Sequence, residues 1–339
     1  MIEIHEWEKI QYLFWDATLI LGNGASIAID PRFSYSSLIE HAKNNNFLDN
    51  DINDLFNFLD TNDFELVLRL VWQAAKVNKS FGIEENKTYK AYINLRNALI
   101  KTVQSIHPSY EKVQPHLPDI HNFIRNFSHI FTLNYDLILY WAIMYGNEND
   151  DLYVFKDCFI DGEFRGDWRF LRADYYGRKS RLVFYPHGSL LLGRNIVEKE
   201  HKISTYGMSR LLDRILDTWE SEDVIPLFVS EGTSRQKVNA IKHSNYLNTI
   251  YREALGGVRG RIVIYGWGLG DQDLHILNSL KRYAFGRFMF AVSVYGNDQA
   301  FCNRIEELLK REFHKCDVYF FNSNSSGCWN NASSEKIVN

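Results

Sequence analysis

The chain has 339 residues, about 2.3 typical domain lengths, so two domains or one large domain with an insertion both fit. With 45% apolar, 24% charged and 15% aromatic residues, the composition excludes a disordered or low-complexity chain. The 38 Lys and Arg against 42 Asp and Glu leave a net charge of −4, without the basic excess of a non-specific nucleic-acid binder. The four cysteines, Cys158, Cys302, Cys316 and Cys328, form no CxxC pair, which removes zinc ribbons and thioredoxin-type motifs. Few, scattered cysteines suit a reducing cytosol. The acidic start Met1-Ile2-Glu3 does not resemble a secretory signal, and no run approaches the ~20 apolar residues of a membrane span. The expectation is a cytoplasmic protein that does not enter membranes.

In chain order, Ala17–Leu21 is an apolar run that stops at Gly22-Asn23-Gly24-Ala25-Ser26, which predicts a buried strand entering a tight turn. A helix is expected from about Tyr35 to Lys43. Residues 48–126 then change texture, and strand-like runs vanish. Asn62 is a candidate helix cap with Glu65 as its capping-box partner. Phe64, Val67, Leu68, Val71, Trp72 and Ala75 follow at steps of three and four. Tyr92, Leu95, Leu99, Val103 and Ile106 make a second apolar stripe. The region reads as a helical insertion, its stripes either buried against the sheet or offered as an assembly surface.

Strand–turn–helix texture returns at His129–Leu133, followed by Asn134-Tyr135-Asp136 and a helix over 137–145. Residues 147–180 predict loops or a small hairpin. Arg181–Tyr185 is a strand ending at Pro186-His187-Gly188-Ser189. A helix over 206–220 and a strand over Val224–Val229 follow. A helix over 234–255 then leads to strand Arg261–Tyr265 and the turn Gly266-Trp267-Gly268-Leu269-Gly270-Asp271. A helix over 273–284, strand Phe288–Val294, helix 298–313 and strand Asp317–Phe321 complete the alternation. The tail from Asn322 is rich in Ser and Asn and predicts fraying. This alternation argues for an α/β fold, a doubly wound, Rossmann-like parallel sheet with a helical insertion. The domain expectation is residues 1–47 and 127–321 for the sheet domain, 48–126 for the insertion and 322–339 for a polar tail.

Ligands of doubly wound sheets bind beyond the carboxyl ends of the strands. Four segments place glycines or polar residues there: Gly22–Ser26, Asn134–Asp136, His187–Ser189 and Gly266–Asp271. The first either wraps a phosphate or is a tight turn, because Ile27 stands where the third glycine of a dinucleotide fingerprint belongs. Asn134 and Asp136 either cap a helix or offer an amide and a carboxylate to a ligand. His187 is either a satisfied structural imidazole or a general base. Three glycines within Gly266–Gly270 suggest the close approach of a ligand or of another backbone, with Asp271 or Asp273 capping the next helix. HExxH, EF-hand, G-x-S-x-G and Walker patterns are absent from the sequence, so no metal is expected.

In order and spacing the four segments resemble the sirtuin family. Gly22-Asn23-Gly24-Ala25-Ser26 is similar to its first glycine motif, and Phe131-Thr132-Leu133-Asn134-Tyr135-Asp136 to its T-x-N-x-D segment. Pro186-His187-Gly188-Ser189 is similar to its His-Gly motif, and Tyr265-Gly266-Trp267-Gly268 with Asp271 to its late glycine turn. The four-cysteine zinc ribbon of the deacylases is missing. Asp30–Leu38 also replaces the G-I-P-D-F-R stretch. In both respects the chain resembles the sirtuin-like NADases of prokaryotic antiphage defence.

That resemblance implies hydrolysis of NAD⁺ to nicotinamide and ADP-ribose, with NAD⁺ as substrate and no further cofactor. It implies that Asn134 orients the attacking water and that His187 engages the ribose as a base. Gly22, Asn23, Gly24, Ala25 and Ser26 would hold the pyrophosphate, and Asp136 would steady the pocket. Gly266, Gly268 and Asp271 would line the adenosine side. It also implies control by homo-oligomerisation or by an activating partner such as an ATPase; no direct nucleic-acid contact is expected. The competing readings are a non-catalytic NAD⁺ or ADP-ribose binding module, a nicotinamide-dependent oxidoreductase and, last, a protein deacylase.

Overall fold

Short, wholly buried apolar runs set the centre of the molecule. The computed structural model describes residues 1–34, 37–83, 86–195, 197–204, 207–221, 224–229, 231–282 and 286–333. Its strands are β1 (Ile4–His5), β2 (Thr18–Leu21), β3 (His129–Thr132), β4 (Tyr153–Lys156), β5 (Phe159–Ile160), β6 (Glu163–Phe164) and β7 (Lys179–Phe184). They continue as β8 (Gly188–Arg194), β9 (Glu200–Lys202), β10 (Ile225–Phe228), β11 (Arg261–Tyr265), β12 (Phe288–Val294) and β13 (Cys316–Asn322). Among the described residues, eight strands form one sheet in the order β1-β13-β12-β11-β2-β3-β7-β4, and every pairing in it is parallel. Such a sheet must be covered on both faces, which is why β2 and β12 carry continuous apolar runs instead of alternation. The fold is α/β and doubly wound, as expected. The stretch β7-β3-β2-β11-β12-β13 has the 3-2-1-4-5-6 order of Rossmann sheets, with its switch point at β2 and β11.

Helices Asn50–Phe58, Phe64–Ser80, Lys87–Ile106 and Leu117–Ile124 fill the stretch that lacks strands. Both apolar stripes are buried within the molecule, Phe64, Val67, Leu68, Val71 and Trp72 on one helix and Tyr92, Leu95, Leu99, Val103 and Ile106 on the other. Asp63, not Asn62, caps the first of these: its Oδ1 accepts from Leu66 N at 3.1 Å.

Several elements differ from the sequence reading. The chain enters a helix (Asn23–Ile27) directly after Gly22. The next helix is Leu38–Asn44, capped by Ser37, while Tyr35 and Ser36 lie outside the described residues. Residues 147–180 do hold a small hairpin, β5–β6, but they also supply β4, an edge strand of the main sheet against β7. Polar and charged flanks mask so short a strand in the sequence. The chain does not stop at His187-Gly188-Ser189. It turns into β8, which pairs antiparallel with β10 and β9 in a separate three-stranded sheet. Gly188 has φ +75°, and a Cβ there would meet Leu227 O at 2.2 Å, so only glycine lets β8 and β10 approach. The expected strand at 224–229 therefore belongs to this small sheet. The expected long helix over 234–255 is broken at Ser244, whose Oγ caps Asn245–Thr249, and then widens into a π-helical turn at Ile250–Leu255. The expected helix over 206–220 is found as Leu211–Ser221 after a 3₁₀ turn at Met208–Arg210; residue 206 lies outside the described residues. The expected helix over 273–284 is found as Leu274–Lys281, with residues 283 and 284 outside them.

The tail is the clearest correction. Residues 322–333 are folded back, not frayed. Trp329 is 1% exposed, and its Nε1 donates to Ala25 O at 2.8 Å. Its ring packs on Phe123 and Tyr265. A tryptophan among serines and asparagines carries enough apolar area to anchor an otherwise polar segment. Residues 334–339 lie outside the described residues. No helix among the described residues is long and apolar enough to cross a membrane.

Candidate functional site

β11, β2, β3 and β7 are successive neighbours, so the segments that follow them emerge side by side at the carboxyl edge of the sheet. A cleft of about 680 Å³ opens there. All four segments read from the sequence contribute to its lining: Gly22 and Asn23, then Asn134, Tyr135 and Asp136, then His187, then Gly266, Trp267 and Gly268. The lining also includes Ser37, Leu38 and Glu40, Asn62, Glu231 and Gly232, and Lys237, Gln272 and Asp273.

The two glycine turns pack on one another. Gly22 N donates to Tyr265 O at 2.9 Å and Gly24 N donates to Gly266 O at 2.7 Å. A Cβ on Gly24 would lie 2.8 Å from Gly266 Cα, and one on Gly266 would lie 2.4 Å from Ala25 N. Contact between two backbones thus accounts for Gly22, Gly24 and Gly266. The N–H groups of Gly22 and Gly24 are bonded within the protein and do not face a phosphate. Gly24, Ala25 and Ser26 lie behind the cleft wall rather than on it. Gly268 differs: it lines the cleft, and nothing lies within 4 Å of a Cβ built there.

Ser26, 1% exposed, sits at the centre of a buried polar set. Its Oγ donates to Asp136 Oδ2 at 2.5 Å and accepts from Asn134 Nδ2 at 2.8 Å. Asn134 Nδ2 also donates to Gly22 O at 3.0 Å. Both amide hydrogens are therefore used, and among the described residues Oδ1 has no hydrogen-bond partner. This amide is oriented from behind with its acceptor unused. Asp136 Oδ1 accepts from Ile138 N at 2.9 Å, a turn bond just before the helix, whose cap position is Leu137 and carries no side-chain cap, so Asp136 is not the helix cap. Burial pushes the Asp136 carboxyl above its usual range, opposed by the Ser26 hydroxyl and the Ile138 amide.

His187 is 3% exposed. Its Nε2 lies 2.8 Å from Nε2 of His275, the two rings are stacked, and the Leu133 backbone bonds the ring as well. Asp273 Oδ1 is 4.0 Å from His187 Nε2 and accepts from Lys237 Nζ at 2.8 Å. Burial, then the Lys237 charge, pushes the His187 pKa down to about 3, against the pull of Asp273. Burial likewise pushes His275 down to about 4. Both rings are neutral at pH 7. Against the upward pull of burial, the charge and hydrogen bond of Lys237 hold Asp273 below its ordinary range. His187, Asp273 and His275 offer ligand atoms within 4.8 Å of one another, a two-histidine, one-carboxylate set suited to a divalent metal. Lys237 already occupies the carboxylate and would compete with a cation there.

Asp271 does not line this cleft. It lies in a smaller neighbouring depression with Asp60, Thr61 and Thr233. Neither Asp271 nor Asp273 caps helix Leu274–Lys281 with its side chain. Ser234 Oγ accepts from His275 N at 3.0 Å instead, which leaves Asp273 to Lys237. His275, Lys237 and Glu231 were not foreseen. His275 and Lys237 sit inside ordinary amphipathic helices and carry no local signal. Glu231 had one, since it follows strand β10 and precedes Gly232, the pattern that singled out the other four segments.

No curated protein matches the chain. A family model described as a domain of unknown function, DUF4917, matches residues 19–329, from the first residues of β2 to the buried Trp329. The match spans every element that builds the cleft, and the chain belongs to the DUF4917 family.

Proposed function

We propose that the cleft binds NAD⁺ and cleaves its nicotinamide–ribose bond with water, yielding nicotinamide, ADP-ribose and a proton. The observation that carries this reading is Asn134: its nitrogen is fixed by Gly22 and Ser26, and its Oδ1 is unused in a cleft where four strand-end segments meet. Nicotinamide departs as a neutral group, so the barrier is set by charge developing on the ribose and by the placement of water. Asn134 Oδ1 accepts a hydrogen bond from that water and aims its oxygen at the ribose carbon. Neutral His187 receives the proton on Nε2 as the carbon–oxygen bond forms, which requires His275 to yield that nitrogen, with Asp273 4.0 Å away to favour the resulting charge. Asn23 and the Gly266–Gly268 backbone flank the pyrophosphate. The reaction as written needs no metal. In a cell this activity requires restraint, and we assign the protein to a cytoplasmic antiphage effector role under control of self-assembly or an activating partner such as an ATPase.

The test is chromatography of products after incubation with NAD⁺ at low and high protein concentration. Nicotinamide and ADP-ribose are expected, with turnover falling ~10²-fold in Asn134→Ala and in His187→Ala. Normal turnover in both variants would overturn the assignment. A second reading, an NAD⁺ or ADP-ribose binding module, is favoured by one observation: His187 Nε2 already lies against His275. Stoichiometric binding without product at every protein concentration would select it.

A further inference from the structure

Glu231 stands apart from the machinery described so far. It is 8% exposed and lines the cleft. One carboxylate oxygen, Oε1, accepts from Ile39 N at 3.2 Å at the start of helix Leu38–Asn44, which holds the side chain in place. The other, Oε2, is buried without a hydrogen bond of good geometry, the Leu38 amide being its nearby backbone donor. A buried carboxylate oxygen without a well-placed donor is costly to keep, and such groups are retained where a ligand completes them.

The surroundings restrict what that ligand part can be. Asp63, at the start of helix Phe64–Ser80, and Glu40, on helix Leu38–Asn44, both add negative field at Glu231. Glu65, buried on helix Phe64–Ser80, has its own carboxyl pushed up by burial and by Asp63. Among the described residues that line the cleft the cation is Lys237 of helix Ser234–Lys242, its ammonium paired with Asp273, while Arg69 and Arg194 offset Glu65 outside the lining. A phosphate brought to Glu231 would meet like charge. A positively charged group would relieve it.

We propose that Glu231 is the specificity-determining carboxylate of the cleft and that it faces the cationic pyridinium end of NAD⁺. The pyrophosphate then lies toward Asn23 and Gly268. The inference rests on the NAD⁺ reading above and adds an orientation to it. Burial pushes the Glu231 carboxyl up to about 7, with Asp63 and Glu40 adding to it and the Ile39 and Leu38 amides opposing. The cation-binding, ionised form is therefore gained as pH rises through neutrality.

The test compares two probes by calorimetry between pH 5.5 and 8.5: carbocyclic NAD⁺, which keeps the cationic ring and resists hydrolysis, and NADH, whose ring is neutral. The wild-type protein is expected to prefer carbocyclic NAD⁺ by about tenfold at pH 8, with the preference shrinking as pH falls below 7. Glu231→Gln keeps an acceptor for Ile39 and is expected to bind both probes alike at every pH. A preference and a pH dependence unchanged in Glu231→Gln would overturn the role of Glu231 and leave the NAD⁺ reading intact. Equal wild-type affinity for the two probes would do the same. Binding of neither probe by the wild-type protein would overturn the NAD⁺ reading and this inference together.

Discussion

His187 and His275 face each other through their Nε2 atoms at 2.8 Å, so the protonation of either depends on its neighbour. Burial, then the Lys237 charge, keep His187 neutral far below the ordinary histidine range, with His275 adding less. Replacing His275 with Ala opens space for water beside His187 and frees its Nε2. If His187 is the base of the proposed reaction, the acid limb of the rate profile should move up toward about 6.5, the unperturbed histidine value. The pH dependence of kcat/KM checks this, and an unmoved limb would assign that limb to another group. His107 makes an instructive contrast. It has the same burial and a pKa pushed down to about 4, yet Nδ1 meets Pro108 O at 2.8 Å and Nε2 accepts from Leu137 N at 3.0 Å. A neutral ring is fully used there as a structural link between loops. The sequence offered two histidines of the same type, and only their partners separate them.

At the scale of elements, the crevice depends on two glycine turns lying in contact. Gly24→Ala and Gly266→Ala place a methyl against backbone, and Gly266 also has φ +67°. Each should cost about 1–3 kcal/mol by chemical denaturation. Gly268→Ala meets nothing within 4 Å and should change stability by less than about 0.5 kcal/mol. Equal losses at all three positions would contradict the packing account. The Gly-x-Gly spacing was legible in the sequence, but its purpose was not: a glycine needed for a phosphate and one needed for a neighbouring turn look the same. The C-terminal segment teaches a related lesson. Trp329 seals the back of helix Asn23–Ile27 through Ala25, so Trp329→Ala should lower stability by about 3–5 kcal/mol, read from the denaturation midpoint. Local composition predicted a loose tail because Ser and Asn dominate it. A buried indole hydrogen-bonded across 304 residues, with Ser325 and Ser326 bonded to Trp7 and Glu8, decided otherwise.

Over the whole molecule, stability should pass through a maximum near neutral pH. His107, His129, His187 and His275 have folded-state pKa values of about 4, 4, 3 and 4, below the ordinary histidine value. Their contribution is full above about 6.5 and is lost as pH falls through those values. Glu231 works in the other direction. Its pKa is raised to about 7, so its contribution is full below the unfolded carboxyl value and is lost as pH rises through about 7. A melting-temperature profile from pH 4 to 9 checks this, and Glu231→Gln should steepen the rise in stability between about pH 4.3 and 7. By itself the sequence determined the parallel alternation, the buried helical stripes and the four strand endings, because hydrophobic period and glycine placement act over a few residues. It also determined that Asn134 and His187 follow strands. Only the tertiary structure decided that β11, β2, β3 and β7 lie side by side, that His275 and Lys237 reach the cleft, and that Glu231 is left with a poorly partnered oxygen. Those facts depend on distances between residues far apart in the chain, set by how the layers pack, and no local pattern encodes them.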